Sequence, residues 1–166
     1  MTASFSFRAA VVGDAGALSA LALESKGHWP YSAEFLAACR DELTYTAAQI
    51  ESENTRFVVA ETRAGAAPDG FYLLTFGRSR HCELNALFIR PACIGQGLGR
   101  ALFAHAVAVA RAAAVSEIEL HADPYAEAFY AAMGARTVGY VPSGSWPGRE
   151  LPLMRFSLSG VADDRH

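Results

Sequence analysis

Apolar residues alternate with polar ones, or gather in short runs, along most of the chain, and the changes of period divide it into strands and helices. "SFRAAVV" at 6–12 predicts a first strand, and Asp14 is placed to cap a helix running to about Glu24. "KGHWPYS" interrupts with Gly27 and Pro30. Ser32 then caps a second helix, with Glu34 in its first turn, that extends to about Ser52. "RFVVAET" and "GFYLLTFG" read as two strands joined by "RAGAAPDG", whose Gly, Pro and Asp suit a hairpin loop. "CELNALFIR" is a third strand, ended by Pro91 because proline lacks a ladder donor. A long helix follows to about Ala114, then the strand "EIELHA" and the short helix "YAEAFYAAMG", closed by Gly134 in a left-handed conformation. "ARTVGYV" and "ELPLMRFSL" are the last strands. The order β-α-α-β-β-β-α-β-α-β-β predicts a mixed α/β layer protein with helices on both faces of a sheet. There is no internal repeat or interdomain linker, so residues 1–166 read as one domain.

Composition adds exclusions. With 52% hydrophobic and 19% charged residues, the 166-residue chain fits one globular domain with a full core. A net charge of -3 and scattered Lys and Arg give no basic stripe, which argues against a nucleic-acid partner. The longest apolar stretch, 101–115, is broken by His105 and Arg111 and falls short of the ~20 residues a membrane span needs. "MTASFSFRAAVVGD" does not read as a signal peptide, so the expectation is a cytoplasmic protein without a membrane partner. Cys39, Cys82 and Cys93 are odd in number and suit reduced thiols. His81, His105, His121 and His166 form no H-E-x-x-H or close pair, so no metal site is expected.

The stretch "CIGQGLGRALFAHAVAVARAAA" at 93–114 carries the chemistry. A strand, a glycine-rich turn and a helix N-terminus together make an anion site, since unpaired N–H groups and the helix dipole converge on one point. Glycines at 95, 97 and 99 let the backbone approach a phosphate closely; the alternative is a tight connection that binds nothing. "GQGLGR" does not fit the G-x-G-x-x-G dinucleotide fingerprint, and no Gly-Lys-Ser or Gly-Lys-Thr completes a P-loop.

"ELNALFIRPACIGQGLGRAL", with the later "DPYAEAFYAAMGARTVGY" and the order of elements, resembles the GNAT N-acetyltransferase superfamily over most of the chain. In the family's R/Q-x-x-G-x-G/A turn, Ile94 takes the Arg/Gln position, with Gly97 and Gly99 at the glycines. Asp123 stands where the later motif usually begins with Asn. The resemblance implies a mostly antiparallel central sheet with helices on both faces and acetyl-coenzyme A as co-substrate. It also implies that the backbone amides of Gly95, Gln96, Gly97, Leu98, Gly99 and Arg100 cradle the pyrophosphate. Leu87, Phe88 and Ile89 would meet the pantetheine arm and thioester, and Asp123 would take the usual polar contact to the cofactor. Arg100 adds a charge-assisted contact or is a solvated helix residue.

The same resemblance gives Tyr130 as donor to the leaving thiolate, against the alternative of an ordinary helix aromatic. Glu83 is a base or water-positioning carboxylate, or a solvated strand residue. His28, Trp29 and Tyr31 would line the acceptor side, and Trp146 and Arg149 would form a second aromatic loop closing over the acceptor or a partner subunit. The implied activity is transfer of an acetyl group to a primary amine of a small molecule by direct attack. Acetylation of a protein or peptide amine, a coenzyme-A-binding regulatory domain without turnover, and a homodimer stay open.

Overall fold

One seven-stranded sheet, in the order β1-β2-β3-β4-β5-β7-β6, organises the computed structural model, which describes residues 4–78 and 80–158. Its strands are β1 (Ser6–Ala9), β2 (Thr55–Glu61), β3 (Gly70–Phe76), β4 (His81–Ile89), β5 (Glu117–His121), β6 (Arg136–Pro142) and β7 (Glu150–Ser157). The helices are α1 (Ala15–Lys26), α2 (Ala33–Cys39), α3 (Ala47–Glu51), α4 (Leu98–Ala112) and α5 (Glu127–Ala132). Only β4 and β5 pair in parallel; every other neighbouring pair is antiparallel. His166, weighed above as a metal ligand, lies outside the described residues. No helix among the described residues is long and apolar enough to cross a membrane.

The hydrophobic pattern fixes which faces are covered. β2 and β3 carry unbroken buried runs because helices lie on both of their faces. On one face, Leu98, Leu102, Phe103, Ala106 and Ala110 of α4 recur at helical spacing and pack against Tyr72, Leu84, Ile118 and Met154 of the strands. On the other, Leu18 and Leu21 of α1 and Phe35 of α2 cover Phe57, Val59, Phe71 and Leu73. Each large side chain so buried contributes about 1.5–3 kcal/mol. Cys39, Cys82 and Cys93 are free and buried. Gly134 closes the α5 region at φ +109°, as its sequence position predicts.

The chain departs from the sequence reading in three places. β1 stops at Ala9, and Val12–Asp14 forms one 3₁₀ turn. Asp14 does occupy the N-cap position of α1, but its carboxylate makes no bond to that helix. It accepts instead from Arg8 Nη1 at 2.8 Å, Arg8 Nη2 at 3.0 Å and Val11 N at 2.8 Å. A bidentate pair between two opposite charges outweighs a single cap bond to a backbone amide, and it holds the Asp14 carboxyl below its ordinary range. The second helix ends at Cys39, not near Ser52. The chain leaves its helical path to bury Leu43 and Tyr45 in the core beneath α1, and α3 restarts through a reciprocal capping box between Thr46 and Gln49.

Asp69 ties the β2–β3 hairpin to the end of β4. Its side chain is 2% exposed and accepts from the Thr62 amide at 2.8 Å. Arg90 Nη2 meets the same carboxylate at 2.5 Å, and the Arg90 amide donates to the Asp69 carbonyl at 2.8 Å. Burial alone would raise this carboxyl's pKa; the Thr62 amide and the Arg90 charge more than reverse it, and the net shift is downward. Asp69→Ala is expected to cost about 1–2 kcal/mol in urea unfolding, because it removes the acceptor that the Thr62 amide shares with the half-exposed Arg90 guanidinium. Asp69→Asn, which keeps an acceptor for Thr62, is expected to lose less. Equal losses in the two variants would remove the charge from the account.

Candidate functional site

The site begins where β4 and β5 part. Their parallel register runs from His81↔Glu117 to Leu84↔Leu120 and stops. Opposite Leu73 and Leu74 of β3 the partners are Ala86 and Leu84, so Asn85 is an extra residue and β4 bulges there. Beyond the bulge β4 follows β3, whereas β5 stays paired with β7 through His121↔Leu153. Leu87, Phe88 and Ile89 therefore present a backbone edge without a β5 partner. Leu87 and Ile89 turn their side chains toward α4, and Phe88 turns toward α1.

The glycine turn follows one 3₁₀ turn, Pro91–Cys93. Gly95 and Gly97 both have φ +84°, and a Cβ at either would meet nothing within 4 Å. Gly97 is the N-cap of α4, and the first bond of that helix runs from Ala101 N to Gly97 O at 3.0 Å. The amides of residues 95–100 donate to no acceptor of normal geometry among the described residues. A concave run of free N–H groups thus sits at the positive end of a 15-residue helix. Leu98 contributes only its backbone, since its side chain is fully buried. Gln96 donates its side-chain amide to Ala92 O at 3.2 Å, and Arg100 is exposed. Gly99 carries a packing constraint besides the one the sequence suggested. A Cβ there would lie 3.3 Å from the Phe129 ring, so Gly99 lets α5 approach α4.

Tyr130 and Glu83 lie on opposite faces of the sheet. Tyr130 is 8% exposed, packs edge-on to Phe103 at 5.8 Å between ring centroids, and has no hydrogen-bond partner for its hydroxyl among the described residues. Burial pushes this phenol above its ordinary pKa, which keeps it protonated and a donor at neutral pH. Glu83 alternates with the buried Cys82 and Leu84 and so points away from α4. It stands in register beside Thr75 and Glu119, and its carboxylate makes no hydrogen bond among the described residues.

Beyond the end of β5 the chain gathers charge. Asp123 accepts from Lys26 Nζ and Tyr31 Oη at 2.8 Å, from the Tyr125 amide at 2.9 Å and from Arg149 Nη2 at 3.4 Å. Burial pushes its pKa up, but Lys26 and the other donors prevail, and the carboxyl lies below its ordinary range. This carboxylate, expected to contact the cofactor, accepts from donors at the end of α1, in the α1–α2 loop and in the β6–β7 loop. Tyr31 is itself held by Arg149 Nη2 at 2.6 Å and stacks on Phe35 at 4.2 Å.

Tyr31, Phe35, Trp146, Gly148 and Arg149 line an open cavity of about 380 Å³. The two loops singled out from sequence are therefore brought together, but not all of their residues reach the cavity. Trp29 stacks on Tyr125 at 5.1 Å with the rings nearly parallel, and His28 is exposed against the edge of Trp29. Lys26, Phe35 and Tyr125 were missed in the sequence. Lys26 had a signal, its place at the head of the aromatic segment, whereas the 97-residue separation of its partner left none.

Residues 20–144 match the profile of the acetyltransferase (GNAT) domain. No curated protein matches the sequence significantly. Solved structures share the fold. A PaiA N-acetyltransferase from Thermoplasma acidophilum, in complex with coenzyme A, is 19% identical, with 93% of this chain and 99% of that one covered and a TM-score of 0.74. A GCN5-related N-acetyltransferase from Rhodopseudomonas palustris is 20% identical, with 95% and 98% covered and a TM-score of 0.77. The ribosomal-protein-S18-alanine N-acetyltransferase of Escherichia coli is 18% identical, with 94% and 95% covered and a TM-score of 0.69. With three quarters of its length inside that profile, the chain belongs to the GNAT acetyltransferases and is an enzyme that draws its acyl group from acetyl-coenzyme A.

Proposed function

We propose that this enzyme acetylates a primary amine of a small molecule by direct attack in a ternary complex. The observation that carries the reading is the braced acceptor end. Asp123 pins the α1–α2 and β6–β7 loops to each other over the end of β5, beside an open cavity of about 380 Å³. That volume suits a small ligand. The free amides of 95–100 hold the pyrophosphate of acetyl-coenzyme A, and the unpaired edge of Leu87–Ile89 holds the pantetheine arm. The turn fits the group: glycines at 95 and 97 leave open space in front of the donors. Ile94, where a polar residue is usual, is 41% exposed and takes nothing from them.

In the transfer, the amine nitrogen bonds to the thioester carbonyl carbon and the C–S bond breaks. Glu83, directly or through a water, receives the proton that the ammonium loses before attack, and the second amine proton passes to solvent as the tetrahedral adduct collapses. The departing thiolate takes a proton from Tyr130, which recovers it from solvent. An alkylamine is mostly protonated at neutral pH, so a base must act before attack.

The reading is tested by following free thiol while the protein is incubated with acetyl-coenzyme A and an amine panel. Thiol release with small amines and none with peptides is expected; the reverse favours the peptide reading. Gly97→Glu is expected to abolish coenzyme A binding in calorimetry while the protein stays folded, since the side chain fills the phosphate space and adds like charge. Unchanged affinity would take the turn out of the site. Tyr130→Phe is expected to lower kcat by roughly ten- to a thousand-fold with cofactor affinity little changed, because its proton is needed only as the thiolate forms. An unaltered kcat would return Tyr130 to a packing role.

Asp123→Asn removes the charge that holds both loops. It is expected to raise the acceptor KM and to lower stability at pH 7 by about 1–3 kcal/mol. Because the folded carboxyl lies below its ordinary value of about 3.9, the stability difference is complete above that value. It vanishes as the pH falls through the folded pKa. A difference that persisted in acid, by thermal unfolding across pH, would assign the effect to shape rather than charge.

A further inference from the structure

The acceptor cavity carries one charge and an unspent set of donors. Of the Arg149 guanidinium, only Nη2 is committed, to Tyr31 Oη at 2.6 Å and Asp123 at 3.4 Å. Nε and Nη1 donate to no acceptor among the described residues, and neither is a buried orphan. The group lies over Phe35, its central carbon 4.7 Å from the ring centroid, and also over Tyr31 at 5.3 Å. Two aromatic neighbours hold the guanidinium in place, and its Nε–Nη1 edge stays free for a ligand. The charge balance favours an anion there. Asp123 is matched by Lys26 at 2.8 Å, so the Arg149 charge is in excess, and no carboxylate lines the cavity. The remaining wall is aromatic, with Phe35 and Trp146 in contact at 5.5 Å.

We infer that Arg149 and this aromatic wall form a subsite for the carboxylate and flat side chain of an aromatic α-amino acid, whose amino group is the one acetylated. The inference rests on the proposed N-acetyl transfer and names its substrate class. Arg149 meets Asp123 just past the end of β5, at the mouth of the β4–β5 split. A carboxylate on the Nε–Nη1 edge therefore holds the neighbouring amino group close to the split, while the side chain packs on Phe35 and Trp146. An ammonium at the same edge is repelled, so the cavity distinguishes the two ends of the substrate.

The test uses molecules that differ by the carboxylate alone. Binding of N-acetyl-L-phenylalanine and N-acetylphenethylamine is followed by the fluorescence of Trp29 and Trp146, and turnover of L-phenylalanine and phenethylamine by free thiol. The carboxylate member of each pair is expected to be favoured by about ten-fold or more, as Kd and as kcat/KM. Arg149→Met is expected to bring that preference within about two-fold, Arg149→Lys to retain part of it, and Trp146→Ala to weaken both members alike. Trp146 lies at the surface, so its variant checks the wall without threatening the fold. Equal binding of the pair by the wild type, or a preference unchanged in Arg149→Met, overturns the subsite. Phenethylamine turning over as well as L-phenylalanine overturns the substrate class while leaving N-acetyl transfer standing. Arg149-dependent binding with no thiol released from any amine supports the subsite and overturns the transfer reading.

Discussion

A buried backbone polar group without a partner is costly, and nearly every one in a folded chain is paired. This chain leaves such groups open in two adjoining places. Among the described residues, the β5 side of β4 has no partner beyond Leu84 and the amides of 95–100 donate to nothing. Both places border the surface, so water satisfies them when nothing else does, and a ligand that replaces this water finds its donors already aimed. The bulge at Asn85 produces the first opening and two positive-φ glycines the second. Much of the surrounding structure holds these two features still. Asp69 and Arg90 brace the entry to the turn, and the α4 core fixes the helix behind it.

The two faces of the sheet handle polarity differently. On the α4 side the proposed cofactor end is built from backbone dipoles and apolar side chains, and exposed Arg100 is the one formal charge among the residues of the turn. On the α1 side the proposed acceptor end is built from side-chain charges: Lys26, Asp123 and Arg149, each 11–16% exposed. Charges held at that depth act through a lower effective dielectric than surface pairs and impose geometry as well as attraction. One end of the proposed site thus recognises a group common to every reaction cycle, and the other discriminates.

What the sequence made legible follows from how local each signal is. The paired buried runs of β2 and β3, the stop at Pro91, the turn at 95–99 and the left-handed Gly134 are all written within a few residues, and the structure places them accordingly. The break after Cys39 was written as well, in the capping box of Thr46 and Gln49, but helix-compatible residues on both sides masked it. Asp14 shows a cap position won by a neighbour, Arg8, which no cap rule includes. Gly99 shows a constraint that no local signal carries: Phe129, thirty positions away. Least legible was the acceptor end, whose contacts join residues 26, 31, 123 and 149 from four separate segments.

Asp123 illustrates why one changed atom matters at such a junction. An asparagine at this position would offer one carbonyl oxygen and one amide donor, and the donor would face Lys26, Tyr31, Arg149 or the Tyr125 amide, most of which also donate. A carboxylate has two oxygens and accepts only, so it is the side chain of this size that can meet four donors at once. Its negative charge also permits two cations within one cluster, which a neutral amide would leave repelling each other. The departure from the family's usual asparagine is therefore matched by Lys26 and Arg149. The carboxylate at this position thereby joins the loops that border the cavity.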